Sequence, residues 1–225
     1  MFQRPLYFSN VSVLSAAGVL GDSLRVRAGR IAAIGDNPQR RDIVFDGGGA
    51  VLVPGLVNAH DHLDLNTFQR LKFRPRYSHV LQWIEDIEAR FESDPALVEP
   101  RRQPLSDRLF IGVLKNLLSG VTTVCHHNPL YRPLRRSPFI HVVKQYGYAH
   151  SLFRGEDIGA SFRKTRSGWP WIIHLAEGVD STAAAEFEQL SERGLVQPNT
   201  VLVHGVGLTP DQQRELAAGA AGLVW

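Results

Sequence analysis

DGGGAVLVPGLVNAHDHL, residues 46–63, is the stretch on which both fold and chemistry turn. Gly47-Gly48-Gly49 reads as a turn, and Ala50 to Val53 resumes extended structure. Pro54 marks a break, and Leu56 to His62 is a strand-like run that ends in polar residues. Side chains two apart on a strand point to the same side, so His60 and His62 share one face while Asp61 faces away. Neutral imidazole is a good zinc ligand, at ~2.0–2.1 Å. A His-x-His pair by itself is equally compatible with two unrelated surface histidines.

Upstream, Leu6 to Val13 and Ser23 to Ile34 are rich in apolar and β-branched residues, and glycines at 18, 21, 29 and 35 punctuate them. Ile43 to Phe45 is a further short strand. Residues 1–54 therefore form a small all-β unit, too small to close a core of its own. Downstream the period changes. Val80, Ile84, Ile87 and Phe91 recur at helical spacing, predicting a helix over Ser78 to Glu92. Leu105 to Leu118 is a helix stopped by Gly120, and Val121 to Val124 a strand. Pro138 to Tyr146 reads as a short helix, Tyr148 to Phe153 as a strand, and Asp157 to Thr165 as one or two helical turns. Trp171 to Leu175 and Val201 to His204 are strands flanking a helix over Thr182 to Arg193. Thr209-Pro210-Asp211-Gln212 opens another helix with a capping box, and Gly222 to Trp225 begins a strand.

Strands alternating with helices predict an α/β fold with a parallel sheet. About six strands fit a barrel whose closed form has eight, so residues 55–225 read as an incomplete (β/α) barrel. Strands ending near His62, His126, His174 and His204 carry histidine at the carboxyl end, where such barrels do chemistry.

Composition sets the outer limits. The chain has 225 residues, 44% hydrophobic and 21% charged, which suits a globular protein with a sizeable core. Its single cysteine, Cys125, excludes an intrachain disulfide framework and fits a reducing cytoplasm; it reads as buried packing. No apolar run approaches the ~18 residues of a membrane span, and the N-terminal stretch lacks a signal-peptide core. Net charge is +3 with a pI near 9.2. The densest basic cluster, Arg132, Arg135 and Arg136 among prolines, reads as a solvated loop rather than a nucleic-acid surface. Small-molecule substrates are the expected partners; a homo-oligomer is compatible with the sequence but not dictated by it.

His174 ends the apolar run Trp171-Ile172-Ile173. Alone it could be a core histidine. With His60 and His62 it makes a three-histidine set, the number of protein ligands catalytic zinc usually has. Glu177, three residues on, could begin a helix or act as a general acid/base. His204 precedes Gly205 and Gly207, and could be a ligand or hold substrate. Of the adjacent His126 and His127, only one can point inward, and His127 is a candidate for the pocket wall. His79, His141 and His150 read as structural.

Together these residues resemble the amidohydrolase superfamily, in its cytosine deaminase-like and chlorohydrolase-like branch. Ser23 to Gly35 resembles the family's β-sandwich segment, and residues 46–63 the approach to its first metal motif. The helix bearing Trp83 resembles the segment that covers the active site, and Gly120 to Val124 the second barrel strand. HLAE, residues 174–177, is similar to the His-x-x-Glu motif of deaminases, and Val203 to Leu208 to the sixth-strand histidine motif. The resemblance implies a partial (β/α)8 TIM-like barrel of the metal-dependent hydrolase type with an N-terminal β-sandwich segment. One divalent metal, zinc or iron, would bind His60, His62 and His174. Glu177 would shuttle protons; His204, with His127 and Trp83, would hold substrate. The implied reaction is hydrolysis of a carbon–nitrogen bond other than a peptide bond, foremost deamination of a cyclic amidine such as a nucleobase, nucleoside or triazine. Cyclic amide opening and chlorohydrolase-like loss of another leaving group are alternatives. Three departures stand out. The family's aspartate after the eighth strand and the C-terminal half of the sandwich lie beyond this sequence, and little room remains for a fourth barrel strand between Phe153 and Trp171. A fragment is therefore one expectation, and an inactive remnant binding metal or a partner another.

Overall fold

The triple-glycine stretch is not a turn. In the computed structural model, which describes residues 4–220 and 222–225, it lies inside one continuous strand, β5 (Ile43–Leu52). β5 runs parallel to β1 (Leu6–Ser15), and the register shifts between Ser9 and Val11. Gly48 and Gly49 take left-handed φ values of 59° and 84°, so the extra residues are absorbed as a bulge. The Asp46 carboxylate fixes it by accepting from Gly48 N at 2.9 Å and Asn10 Nδ2 at 3.0 Å. A Cβ on Gly47 would stand 2.2 Å from Val11 Cγ1, so only glycine permits this close pairing.

The chain divides into two units, Met1–Gly55 and Leu56–Trp225. In the first, β1 also pairs with β2 (Gly18–Gly21) and β3 (Leu24–Arg27), and β3 with β4 (Arg30–Ile34), all antiparallel. The run from Ser23 to Ile34 is thus a hairpin rather than one strand. Ala28 and Gly29, both left-handed, make its turn. The buried Arg25 guanidinium ties the unit together through Asp42 and Asp36, at 3.0 and 2.6 Å.

In the second unit the described strands pair in parallel, and an isolated antiparallel bridge joins His79 to Gly178. One sheet runs β6 (Leu56–Asp61), β7 (Val121–His126), β8 (His141–Val142); the other runs β9 (Gly147–Ala149), β10 (Trp171–Leu175), β11 (Thr200–His204), β12 (Gly222–Val224). The helix expected over Pro138 to Tyr146 is absent. Ile140, Val142 and Val143 favour extended backbone, and Ile140 and Val142 are buried. Only four residues separate β8 from β9, too few for a parallel crossover. β8 pairs with β7, and β9, after a bend at Gln145, pairs with β10. Between Arg154 and Trp171 the described residues hold one short helix, α4 (Ile158–Lys164), and no strand. The strand expected over Tyr148 to Phe153 is the short β9 followed by a single 3-10 turn at Leu152–Arg154.

β10 is buried at all five positions, as a strand with parallel neighbours on both edges requires. Trp171, Ile173 and Leu175 pack with Leu202 of β11 and with Ala183, Phe187 and Leu190 of α5 (Ser181–Glu192). α1 (Val80–Glu88) is shorter than expected, and α2 (Pro95–Arg102) follows it. α3 (Leu105–Leu118) has the expected bounds and buries Leu109, Gly112, Val113 and Asn116, one face at helical spacing. α6 (Pro210–Gly219) starts with the expected capping box between Thr209 and Gln212.

Gly112 lets α3 sit directly on the turn after His62. A Cβ there would lie 2.3 Å from Leu63 O, a backbone atom that cannot swing aside. Gly112→Ala is expected to cost about 1–3 kcal/mol through overpacking, read as a lower urea midpoint; an unchanged midpoint would show that α3 can retreat freely.

Candidate metal centre and proton-transfer site

Parallel strands bring their carboxyl ends to one edge, and here that edge collects imidazoles. His60 lies in β6 and His62 just beyond it; His127 follows β7, His150 follows β9, and His174 and His204 lie at the ends of β10 and β11. His60 Nε2 stands 3.2 Å from His62 Nε2 and 3.0 Å from His174 Nε2. The ring nitrogens of His60, His127 and His174 lie within 4.8 Å of one another, and His62 joins this group at His60.

Asp61 faces away from this cluster, as the strand alternation predicts. Its carboxylate accepts from the side-chain amides of Asn66, Asn116 and Asn58, at 2.7, 2.6 and 3.1 Å, which pins the strand carrying the two histidines. His174 is oriented from behind. Its Nδ1 lies 2.8 Å from the carbonyl oxygen of His150, which can only accept. The proton therefore sits on Nδ1, and Nε2 presents a lone pair to the cluster. Burial, reinforced by the neighbouring imidazoles, lowers the pKa of His60 to about 3; burial also takes His174 to about 2 and His127 to about 4. All three are neutral at physiological pH, the form that binds a metal. The donor set thus fits a divalent metal of the kind imidazole favours.

Glu177 follows β10 by two residues. Ala176 before it is left-handed, φ 54°, and turns the chain so that the carboxylate reaches His204 Nε2 at 3.4 Å. Burial, then the charge of Glu186, raises the Glu177 pKa to about 7. Burial lowers that of His204 to about 4. Both groups line a cavity of about 760 Å³ with His60, His62, His150, His174, Tyr77 and Trp83. The Trp83 indole donates to Leu71 O at 3.1 Å, and Trp83 lines the cavity.

The placement of the remaining expected residues is mixed. His126 and His127 are both fully buried, and neither lines the cavity, so the expected division between pocket wall and outer packing is not what is seen. His126 is committed to backbone: its Nδ1 accepts from Leu63 N at 3.2 Å. Cys125 is buried as expected, and burial pushes its thiol to about 12. Sequence reasoning missed two residues, His150 and Glu186, and read His79 as structural. His150 lines the cavity, its ring stacked 4.9 Å from that of His174; its place at the end of a strand was the available signal. His79 caps α1, its Nδ1 accepting from Leu81 N, so its Nε2 carries the proton toward Glu186 Oε1 at 3.2 Å. Glu186 lies on the buried face of α5 beside Ala183, Phe187 and Leu190, and an acid on an apolar face was its signal.

Glu186 ties the site to its support, since its other oxygen accepts from Ala176 N at 2.7 Å. Val80 N donates to Glu177 O at 2.9 Å and Val179 N to Ser78 O at 2.7 Å, closing the clamp. Glu186→Ala would leave two buried donors unpartnered and is expected to cost about 2–4 kcal/mol. Chemical unfolding checks this; a loss under about 0.5 kcal/mol, the scale of an ordinary surface change, would mean that the clamp holds without its carboxylate.

No family model matches the chain. The 5'-deoxyadenosine deaminase of Methanothermobacter thermautotrophicus is 34% identical over 71 residues, 31% of this chain and 17% of that protein. Among solved structures, the zinc complex of atrazine chlorohydrolase TrzN from Arthrobacter aurescens has a TM-score of 0.66 at 15% identity, covering 96% of this chain and 64% of that one. A zinc-bound adenosine deaminase from Xanthomonas campestris has a TM-score of 0.59 at 18% identity, covering 96% of this chain and 61% of that one. The chain spans less than two thirds of the length of each. The two solved structures share their fold with nearly the whole of this chain, and the deaminase matches it over 71 residues.

Proposed function

We propose that this chain carries the metal-binding and proton-transfer part of a metal-dependent hydrolase acting on carbon–nitrogen bonds other than peptide bonds. The reaction it fits best is deamination of a cyclic amidine of the nucleobase, nucleoside or triazine kind. The observation that carries the reading is the convergence of His60, His62 and His174 through Nε2 beside a carboxylate whose pKa is raised to about 7. In this reading the second unit is part of a (β/α)8 barrel, and residues 1–54 are the N-terminal part of a composite β-sandwich. Similarity to deaminases and to zinc-containing hydrolases supports both the chemistry and the metal, zinc before iron.

His60, His62 and His174 would hold the metal. When bound, such an ion supplies Lewis acidity that brings the pKa of water toward ~7. Glu177, ionised, takes a proton from the attacking water at its carboxylate oxygen. It then returns that proton to the ring nitrogen of the amidine as the C–O bond forms. Glu177 then relays the proton left on the added oxygen to the exocyclic amino group, ammonia leaves as that C–N bond breaks, and the ring carbon keeps the oxygen as a carbonyl. His204, neutral and 3.4 Å from Glu177, orients the incoming water or donates to the oxygen that gains charge. The face of Trp83 gives a planar ring an apolar surface to lie on.

The test is ammonia release by the natural full-length protein, zinc-loaded, from adenosine, 5'-deoxyadenosine, cytosine and an aminotriazine. Release from any one supports the reading. A zinc-loaded protein that frees chloride from a chlorotriazine and ammonia from none would move it to the chlorohydrolase alternative.

A further inference from the structure

We propose that His127 is a fourth imidazole donor to the metal of this site, rather than a wall of the substrate pocket. The inference rests on the metal-site reading above and extends it to a residue outside the His-x-His and His-x-x-Glu pattern.

The argument is one of unmet bonding. His127 has no exposed surface and does not line the cavity, so it cannot meet substrate directly. Its backbone is fixed to the His-x-His strand, with His127 N donating to Asp61 O at 2.8 Å. Its ring lies among the other imidazoles, with centroid distances of 4.7 Å to His60, 5.3 Å to His174 and 6.2 Å to His62. Among the described residues neither ring nitrogen makes a well-formed hydrogen bond, although the Ala59 backbone approaches the ring. A neutral imidazole offers one donor and one acceptor, and burying both unmatched is costly. His126, its neighbour in sequence, spends its Nδ1 on Leu63 N. His127 has no such employment, yet its ring nitrogens stand within reach of those of His60 and His174. A cation placed between the three would satisfy a nitrogen that no well-formed hydrogen bond uses among the described residues.

The experiment uses the natural full-length protein loaded with cobalt(II) or zinc. Pulsed electron-nuclear spectroscopy or X-ray absorption then counts coordinated imidazoles without altering the chain. Four support the proposal; three with normal metal content overturn it while leaving the metal-site reading intact. Independently, His127→Asn and His127→Phe are titrated with cobalt against a competing chelator. Affinity should fall by more than the ~10–100-fold typical of losing an outer-shell partner, and the visible cobalt spectrum should change. Wild-type affinity and spectrum in a folded variant overturn the proposal. A wild-type protein that binds neither ion would remove the metal-site reading and this inference together.

Discussion

Replacing His60 and His62 together by alanine is expected to strip the protein of its metal and abolish hydrolysis. His60 is the hub of the cluster: its Nε2 is the atom nearest both His62 and His174, and its ring also lies 4.7 Å from His127. Losing even one outer-shell partner commonly costs ~10–100-fold in metal affinity, and this change removes two direct donors. Elemental analysis of the desalted full-length protein should drop from one metal per chain to a trace. The fold should survive, because β6 is held by Asp61 and its three asparagine partners rather than by the two imidazoles. Retention of stoichiometric metal in the double variant would sink the assignment.

Glu177→Gln is expected to keep the metal and lose turnover. A well-placed general acid/base contributes ~10²–10⁴ in rate, and glutamine preserves the shape of the side chain while removing its proton chemistry. The pH profile gives a second check. The carboxyl has a pKa raised to about 7, so below that value it is protonated and cannot act as the base. Activity should rise as pH passes through this limb; a bound cation shifts the limb to lower pH, because it favours the ionised form. The Gln variant should lack the limb altogether. A variant within twofold of wild-type turnover would reduce Glu177 to a loop-stabilising residue.

Much of this was legible in residues 46–63 and 171–177 because strand alternation is strict: it placed His60 and His62 on one side and Asp61 on the other. The bounds of α3 and the cap of α6 were equally plain, since Gly120 and the Thr209-to-Gln212 box act locally. What failed were decisions made by tertiary contacts. The segment around Val142 reads as a helix from sequence, and pairing with β7 before it and β10 after it makes it strand instead. Gly47 to Gly49 carries a turn signature, yet the partner strand β1 converts it to a bulge. Glu186 and His150 were missed because their roles depend on residues distant in sequence: Glu186 meets His79, and His150 presents its carbonyl to His174.

Ala176 and His204 both sit in left-handed backbone, at φ 54° and 77°, where a side chain is disfavoured. Glycine would suit either position better, and at His204 it would erase the imidazole that meets Glu177. Random drift toward a sturdier protein therefore runs against the chemistry at these two positions. A stability screen blind to activity should enrich glycine at both, and a lineage that keeps histidine at 204 is being held there by selection for what the imidazole does.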